Sequence, residues 1–141
     1  MTILRKTKRT MKKTILVTGA TAGFGNAIAR KFAAGGYDLI ITGRRSNLLH
    51  QLADELTASF AAEVLPLCFD VRRQDEVEHQ IHSLSDRWRN IDVLVNNAGL
   101  AVGLNPIQDG VVDDWERMID TNVKGLLYMT RMVSPIMVAR K

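Results

Sequence analysis

The chain has 141 residues and a formal net charge of +4, from 19 Lys and Arg against 15 Asp and Glu. This length predicts one domain with a substantial core. Six of the basic residues lie in the first 13 positions, which contain no acid and form a basic N-terminal extension, residues 1–13. The remainder carries no repeating basic or aromatic stripe, so the composition excludes a nucleic-acid partner.

Other protein classes are excluded on similar grounds. No stretch approaches the roughly 20 apolar residues of a membrane span, and the basic extension lacks the apolar segment of a signal peptide. We therefore expect a cytoplasmic protein with no membrane partner. Cys68 is the sole cysteine, which excludes an internal disulfide, and no Cys or His partner near it indicates a metal site.

Apolar runs alternate along the chain with longer amphipathic stretches. Nearly continuous apolar strands joined by helical connections predict a parallel sheet buried on both faces. The fold class is therefore α/β, a Rossmann-like doubly wound parallel sheet in the order βαβαβαβα, within residues 14–141. The predicted strands are 14–18, 38–42, 63–69 and 91–95, and the predicted helices are 23–34, 46–60, 74–89 and 113–139.

The last predicted helix carries three local expectations. Asp113 or Asp114 can cap its start, where negative charge complements the helix dipole. Pro135 is expected to kink or end it. Its apolar residues recur at three- and four-residue spacing, which predicts one face built for burial. That face includes Trp115, Met118, Ile119, Asn122, Val123, Leu126, Leu127, Thr130, Val133 and Met137.

A glycine-rich turn follows the first strand and opens the first helix. Gly19, Gly23 and Gly25 allow backbone N–H groups to approach a pyrophosphate without an intervening Cβ, and the helix N-terminus then faces the anion. A tight loop without ligand is the alternative. The position of the turn inside a βαβ unit favours dinucleotide binding.

Arg44 and Arg45 follow the second strand, where the ribose 2′-hydroxyl of a dinucleotide would arrive. An enzyme that uses NAD would offer an acidic residue there, whereas guanidinium groups match phosphate oxygens bidentately. The pair favours NADP over NAD. A solvated pair of arginines at the start of a surface helix is the alternative.

Two further strand ends carry polar residues. Asp70 closes the third strand, and its carboxylate can accept the adenine amino group while Val71 packs on the ring; capping of the next helix is the alternative. The sequence at 96–99, Asn-Asn-Ala-Gly, offers small residues and amides to the ribose, or ties strands together, or forms a plain turn. Asn122 lies among the apolar residues of the last helix and must be hydrogen-bonded, either in the core or in a site.

These residues together resemble the short-chain dehydrogenase/reductase family. The Thr-Gly-x-x-x-Gly-x-Gly turn at 18–25, Asp70, the Asn-Asn-Ala-Gly at 96–99 and Asn122 stand in that family's order and spacing. More narrowly, the stretches 18–25, 42–45, 96–101 and 114–122 resemble the bacterial NADP-dependent 3-hydroxy acid dehydrogenases. The resemblance implies hydride transfer between NADP(H) and a hydroxyl or carbonyl substrate, in a homo-oligomer of the complete protein. The narrower resemblance implies a 3-hydroxy acid such as serine as the substrate.

The resemblance also implies roles for individual residues. Arg44 and Arg45 would hold the 2′-phosphate, Asp70 and Val71 would surround adenine, and Asn122 would hold a water in a proton relay. The implied cofactor-binding residues are Gly19, Ala20, Thr21, Ala22, Gly23, Phe24, Gly25, Arg44, Arg45, Asp70, Val71, Asn97, Ala98 and Gly99.

The chain departs from the family pattern after the last helix. The family's Ser, Tyr and Lys have no counterpart, because Tyr37 is followed four residues later by Ile41, and Tyr128 by Met132. We therefore expect a fold truncated before its fifth strand, with an exposed edge, and a chain that is inactive alone. A catalytically inactive NADP(H)-binding module and a nonfunctional truncated fragment are the alternatives.

Overall fold

A computed structural model describes residues 12–140, so the prediction for the basic extension lies almost wholly outside the described residues. Four strands alternate with helices, as predicted. The strands are β1 (Thr14–Val17), β2 (Asp38–Gly43), β3 (Val64–Cys68) and β4 (Ile91–Val95). The helices are α1 (Gly23–Ala34), α2 (Ser46–Phe60), α3 (Gln74–His82), α4 (Val112–Ile119) and α5 (Leu126–Arg140), with a π-helical segment, Asp120–Gly125, joining the last two.

The four strands form one parallel sheet in the order β3-β2-β1-β4. Leu16 of β1 lies opposite Ile40 of β2 and Leu94 of β4. Because side chains alternate across a strand, Ile15 and Ile41 pack in the core that contains α1 and α2 residues, whereas Leu16 and Ile40 pack in the core that contains α3 and α5 residues. The predicted α/β doubly wound sheet is confirmed.

The third helix is shorter than predicted, because it ends at His82 and not at residue 89. Ser83 Oγ donates to the carbonyl of His79, and the Arg89 guanidinium donates to the carbonyls of His82 and Leu84. These contacts satisfy carbonyl groups that a longer helix would have paired internally. The other predicted boundaries of the strands and of the first two helices agree within one residue.

The last predicted helix differs from expectation at its start and at its proline. α4 begins at Val112 after Val111, which makes no side-chain cap, so neither Asp113 nor Asp114 is the cap. Both aspartates lie in the first turn, where their charge still complements the helix dipole. Pro135 lies inside α5, which continues to Arg140, so the proline does not end the helix.

The predicted buried face of that helix is wrong in part. Met129 and Val133 are buried, but Ile119, Val123, Leu126 and Leu127 are exposed by 47%, 51%, 42% and 57%. A π-helical turn spaces its hydrogen bonds more widely than an α-helical turn. The segment Asp120–Gly125 therefore shifts the phase of the helix, so that one apolar stripe counted at α-helical spacing no longer stays on one face.

A buried carboxylate joins the amino ends of two strands. Asp38, which is 3% exposed, accepts a hydrogen bond from the backbone N–H of Glu63 at 2.9 Å. Its other oxygen, Oδ2, accepts from Arg87 at 2.5 Å, and Lys12 Nζ lies 3.9 Å from Oδ1. A buried donor without a partner costs free energy, and Asp38 pairs the donors of Glu63 and Arg87. Asp38 therefore stabilises the end of the sheet where the strands begin.

Replacing this carboxylate should therefore destabilise the fold. Asp38→Asn removes the charge that Arg87 contacts, and we expect it to lower the free energy of unfolding by about 1.5–3 kcal/mol. Urea unfolding followed by tryptophan fluorescence measures the change. Asp54→Asn, at an exposed position of α2, is the matched control and should leave the midpoint unchanged. Equal midpoints for both variants would contradict the structural role of Asp38.

Candidate functional site

A cavity of about 520 Å³ opens at the carboxyl ends of the strands, where the turns that follow β1, β2, β3 and β4 converge. In doubly wound folds ligands bind at this edge of the sheet. The residues lining the cavity are Gly19, Thr21, Ala22, Gly23, Thr42, Gly43, Arg44, Arg45, Phe69, Asp70, Val71, Asn97, Ala98, Gly99 and Thr121.

Most of the predicted site residues lie on this lining, and four do not. Ala20 is fully buried beneath the turn, and Gly25 is buried within the first turn of α1. Phe24 is 84% exposed, and Asn122 lies on the π-helical segment beside the cavity. The sequence interpretation did not assign Thr42, Gly43, Phe69 or Thr121 to the site, although all but Phe69 lie in the stretches 42–45 and 114–122 that carry the resemblance.

The glycine turn is shaped by two steric requirements. Gly19 and Gly23 have φ of +65° and +52°, a region that residues with a Cβ rarely occupy. Gly25 has a different reason: an added Cβ would overlap the carbonyl oxygen of Gly19 and Nδ2 of Asn97. The turn is therefore built by close packing against the residues after β4.

The turns after β1 and β4 are tied together by hydrogen bonds. Thr18 Oγ1 accepts from the backbone N–H groups of Asn97 and Ala98 at 3.0 and 2.9 Å. Asn97 Nδ2 donates to the carbonyls of Thr18 and Gly19 at 3.0 and 3.1 Å. Of the alternatives left open for the Asn-Asn-Ala-Gly sequence, the tie between strands is therefore present.

The N-terminus of α1 faces the cavity with its helix donors uncapped by side chains. Ala22 precedes the helix and makes no side-chain cap, and Gly23, the first helical residue, lines the cavity. The first N–H groups of a helix have no intrahelical partner, and together with the helix dipole they favour an anion. This end of the cavity is suited to a phosphate group.

The two arginines lie on another wall of the cavity. Arg45 Nη2 donates to Thr21 Oγ1 at 3.0 Å, which brings the turn after β2 against the glycine turn. Arg44 is exposed, with Nη1 4.0 Å from Oδ2 of Asp70. Both arginines line the cavity and are exposed just before α2. They place two positive charges where a second anionic group could bind.

Asp70 makes a bidentate contact with the nearby Arg72. Arg72 Nη2 lies 2.6 Å from Oδ2, and Arg72 Nε lies 3.0 Å from Oδ1 and 2.9 Å from Oδ2. The backbone N–H of Arg72 also donates to Oδ1 at 3.0 Å. α3 begins after Arg73 and has no side-chain cap, so the alternative that Asp70 caps this helix is not observed.

These contacts determine the ionisation of Asp70. Burial alone would raise the pKa of its carboxyl group, but the side-chain and backbone hydrogen bonds from Arg72 outweigh burial and hold the pKa below its ordinary value of 3.8. Since the folded pKa is the lower one, the stabilisation is present above the ordinary value and is lost as the pH falls through the folded value. Near neutral pH Asp70 is an ionised hydrogen-bond acceptor.

The Asn122 side chain makes two hydrogen bonds to a neighbouring loop. Its Nδ2 donates to the carbonyl of Leu100, and its Oδ1 accepts from the N–H of Leu100, both at 2.8 Å. In the same π-helical segment, a Cβ added at Gly125 would lie 2.8 Å from Cγ2 of Val71. The segment therefore packs against the loops after β3 and after β4, and its Thr121 lines the cavity between them.

One buried hydroxyl belongs to the cavity lining. Thr42 Oγ1 is buried and has no hydrogen-bond partner among residues 12–140, and Thr42 belongs to the cavity lining. A buried hydroxyl without a partner costs free energy, so Thr42 is a strained position directly beneath the cavity. The cavity thus combines a helix N-terminus, two arginines and an ionised carboxylate.

Metal binding and membrane insertion find no support in the described part of the chain. Between residues 12 and 140, no group of three or more His, Cys, Asp or Glu residues is arranged to hold a metal ion. Within the same range, no helix has both the length and the apolar character needed to cross a membrane.

Known proteins are similar to this chain in sequence and in fold. The NADP-dependent 3-hydroxy acid dehydrogenase of Salmonella typhi is 56% identical over 126 residues, which cover 89% of this chain and 49% of the relative. A crystal structure of serine dehydrogenase from Escherichia coli is 51% identical, with a TM-score of 0.84 over 90% of this chain and 57% of that one. A closed form of serine dehydrogenase complexed with NADP⁺ is equally similar and is covered to 50%.

The chain thus spans about half the length of the curated relatives that it matches. A family model described as short chain dehydrogenase matches residues 13–141, which include all four strands and every turn that lines the cavity. The chain therefore belongs to the short-chain dehydrogenase family of oxidoreductases.

Proposed function

We propose that the cavity binds NADP(H). The observation that carries the proposal is that one cavity is lined both by the glycine turn at the N-terminus of α1 and by Arg44 and Arg45. The helix N-terminus would hold the pyrophosphate, and the arginines, with the Thr21 hydroxyl that Arg45 contacts, would hold the 2′-phosphate. The NADP-dependent relative and the relative complexed with NADP⁺ support the same choice of cofactor.

The remaining lining residues would place the other parts of the cofactor. Asp70 would accept the adenine amino group, with Val71 against the ring, and Asn97, Ala98 and Gly99 would border the ribose next to nicotinamide. When bound, the cofactor supplies or accepts a hydride. The chain's own residues bind it and orient it, because the turns that line the cavity are fixed to one another by the Thr18 and Asn97 hydrogen bonds.

Asn122 has a second proposed role in the complete catalytic unit, as a member of a proton relay. Its side-chain amide also donates to and accepts from Leu100, with one bond from each polar atom. We therefore assign the side chain of Asn122, in addition, to holding the loop after β4. The wider hydrogen-bond spacing of the π-helical segment is typical of functional sites in helices.

The 2′-phosphate contact gives a selective prediction. We expect Arg45→Ala to weaken NADPH binding roughly tenfold to a hundredfold, since it removes a charge-assisted hydrogen bond, while NADH binding changes little. Isothermal titration calorimetry on the 141-residue chain measures both affinities. Arg73→Gln, which removes an exposed arginine outside the cavity, is the control. Equal losses for NADPH and NADH would argue against a 2′-phosphate site at Arg45.

The close packing of the glycine turn gives a second prediction. We expect Gly25→Ala to abolish measurable NADPH binding and to lower stability by about 1–3 kcal/mol, because its Cβ overlaps Gly19 and the Asn97 amide. Titration with NADPH and urea unfolding measure the two effects. Gly35→Ala is the matched control, because its added Cβ meets nothing closer than 3.4 Å. Unchanged binding by Gly25→Ala would show that this turn does not form the site.

We further propose that the complete catalytic unit oxidises a 3-hydroxy acid such as serine, or reduces the corresponding carbonyl compound. Similarity to the 3-hydroxy acid dehydrogenase and to serine dehydrogenase supports this substrate class. The 141 residues contain no Tyr with a Lys four positions later, the acid-base pair that the family resemblance implies. The alternative function is an NADP(H)-binding module without turnover.

A chimera separates these two functions. Residues 12–140 joined to the second half of the E. coli serine dehydrogenase should oxidise L-serine with NADP⁺, whereas the 141-residue chain alone should not. The absorbance of NADPH measures the reaction. A chimera that carries Arg45→Ala is the control and should need more NADP⁺ for the same rate. A folded chimera that binds NADP⁺ but turns over no 3-hydroxy acid would favour the binding module.

A further inference from the structure

The environment of Asp70 contains a residue whose role the family resemblance does not assign. Two guanidinium groups lie near its carboxylate, but they contact it differently. Arg72 holds both oxygens at 2.6 to 3.0 Å, whereas Arg44 stands 4.0 Å away on the cavity wall. Arg72 is therefore the counter-ion of Asp70, and Arg44 remains able to contact a ligand.

The contact with Arg72 does not occupy every hydrogen-bond acceptor site of the Asp70 carboxylate. Three N–H groups of Arg72 donate to the two oxygens: the backbone to Oδ1, Nη2 to Oδ2, and Nε to both. A carboxylate offers about four lone-pair sites and Arg72 supplies three donors, so one acceptor site remains. The side chain is 18% exposed and lies on the cavity lining, so this remaining site is accessible to a ligand.

The loop around Asp70 is held in place by its own contacts. The backbone N–H of Asp70 donates to Glu76 Oε2 at 2.9 Å, and the N–H of Arg73 donates to the carbonyl of Asp70 at 3.0 Å. Val71 in the same loop packs against Gly125. These contacts fix the backbone, and the fork of Arg72 fixes the remaining freedom, the rotation of the carboxylate.

We propose that Arg72 is a positioning residue for base recognition: it orients the Asp70 carboxylate so that its remaining acceptor site faces the exocyclic group of the cofactor's base and selects an amino donor. This inference rests on the proposed binding of NADP(H). Without Arg72, the carboxylate is free to rotate and to pair with Arg44, which lies across the cavity wall. Discrimination between bases then falls.

The probe for this role is the NADPH analogue in which hypoxanthine replaces adenine. Hypoxanthine presents a carbonyl oxygen where adenine presents its amino group, so an oriented carboxylate meets an acceptor and is repelled. We expect the unaltered chain to bind NADPH about tenfold or more tightly than the analogue, as a charged hydrogen bond predicts. In Arg72→Gln we expect this ratio to fall below about threefold.

The ratio of the two affinities separates positioning from a merely structural role, because a loss of folded protein would reduce the binding of both ligands equally. Calorimetric titration of both ligands gives the ratio for each variant. Arg73→Gln, one residue away and paired with exposed Asp75, is the matched control and should keep the original ratio. Arg72→Lys retains the charge without the fork, so its ratio should also fall, and it serves if Arg72→Gln does not fold.

Each outcome has a distinct meaning. A folded Arg72 variant that keeps the original ratio overturns the proposal and leaves NADP(H) binding intact. An unaltered chain that binds NADPH and its hypoxanthine analogue equally also overturns the proposal, because Asp70 then does not select the base. A chain that binds neither ligand refutes the proposed function together with this inference.

Discussion

The site depends on the contact between the turn after β1 and the turn after β4. Thr18 accepts hydrogen bonds from two backbone groups of the second turn, and Asn97 returns two hydrogen bonds to the first. This contact leaves no room for a side chain at Gly25. The close approach of the two turns also leaves the N-terminus of α1 open toward the cavity, where it can bind an anion.

The π-helical segment holds the other loops of the cavity in place. Asn122 holds Leu100 after β4, while Gly125 lies against Val71 after β3. Substitutions in Asp120–Gly125 therefore act on both ends of the proposed cofactor site, although only Thr121 of this segment lines it. The charges around the cavity are also arranged by contacts from outside it. Arg72 neutralises Asp70 from outside the cavity, so the positive charge of Arg44 on the cavity wall stays available to a ligand.

Much of this architecture is predictable from the sequence. Buried strands and the motifs after them are local signals, so they indicate the parallel sheet and most of the cavity lining. The end of α3 is not predictable in this way. It depends on hydrogen bonds from the Arg89 side chain to the carbonyls of His82 and Leu84, and local helix propensity does not reveal such contacts. The exposure of Leu127 and the contact of Asn122 with Leu100 also escape prediction, because the π-helical turn changes the α-helical periodicity that a sequence pattern assumes.

A crystal structure of the 141-residue chain with NADP⁺ tests the central claim most directly. The account predicts the pyrophosphate at the N-terminus of α1, the 2′-phosphate within hydrogen-bond distance of Arg44 and Arg45, and adenine between Val71 and the Asp70 carboxylate. Dinucleotide bound elsewhere, or with its 2′-phosphate directed away from both arginines, would contradict it.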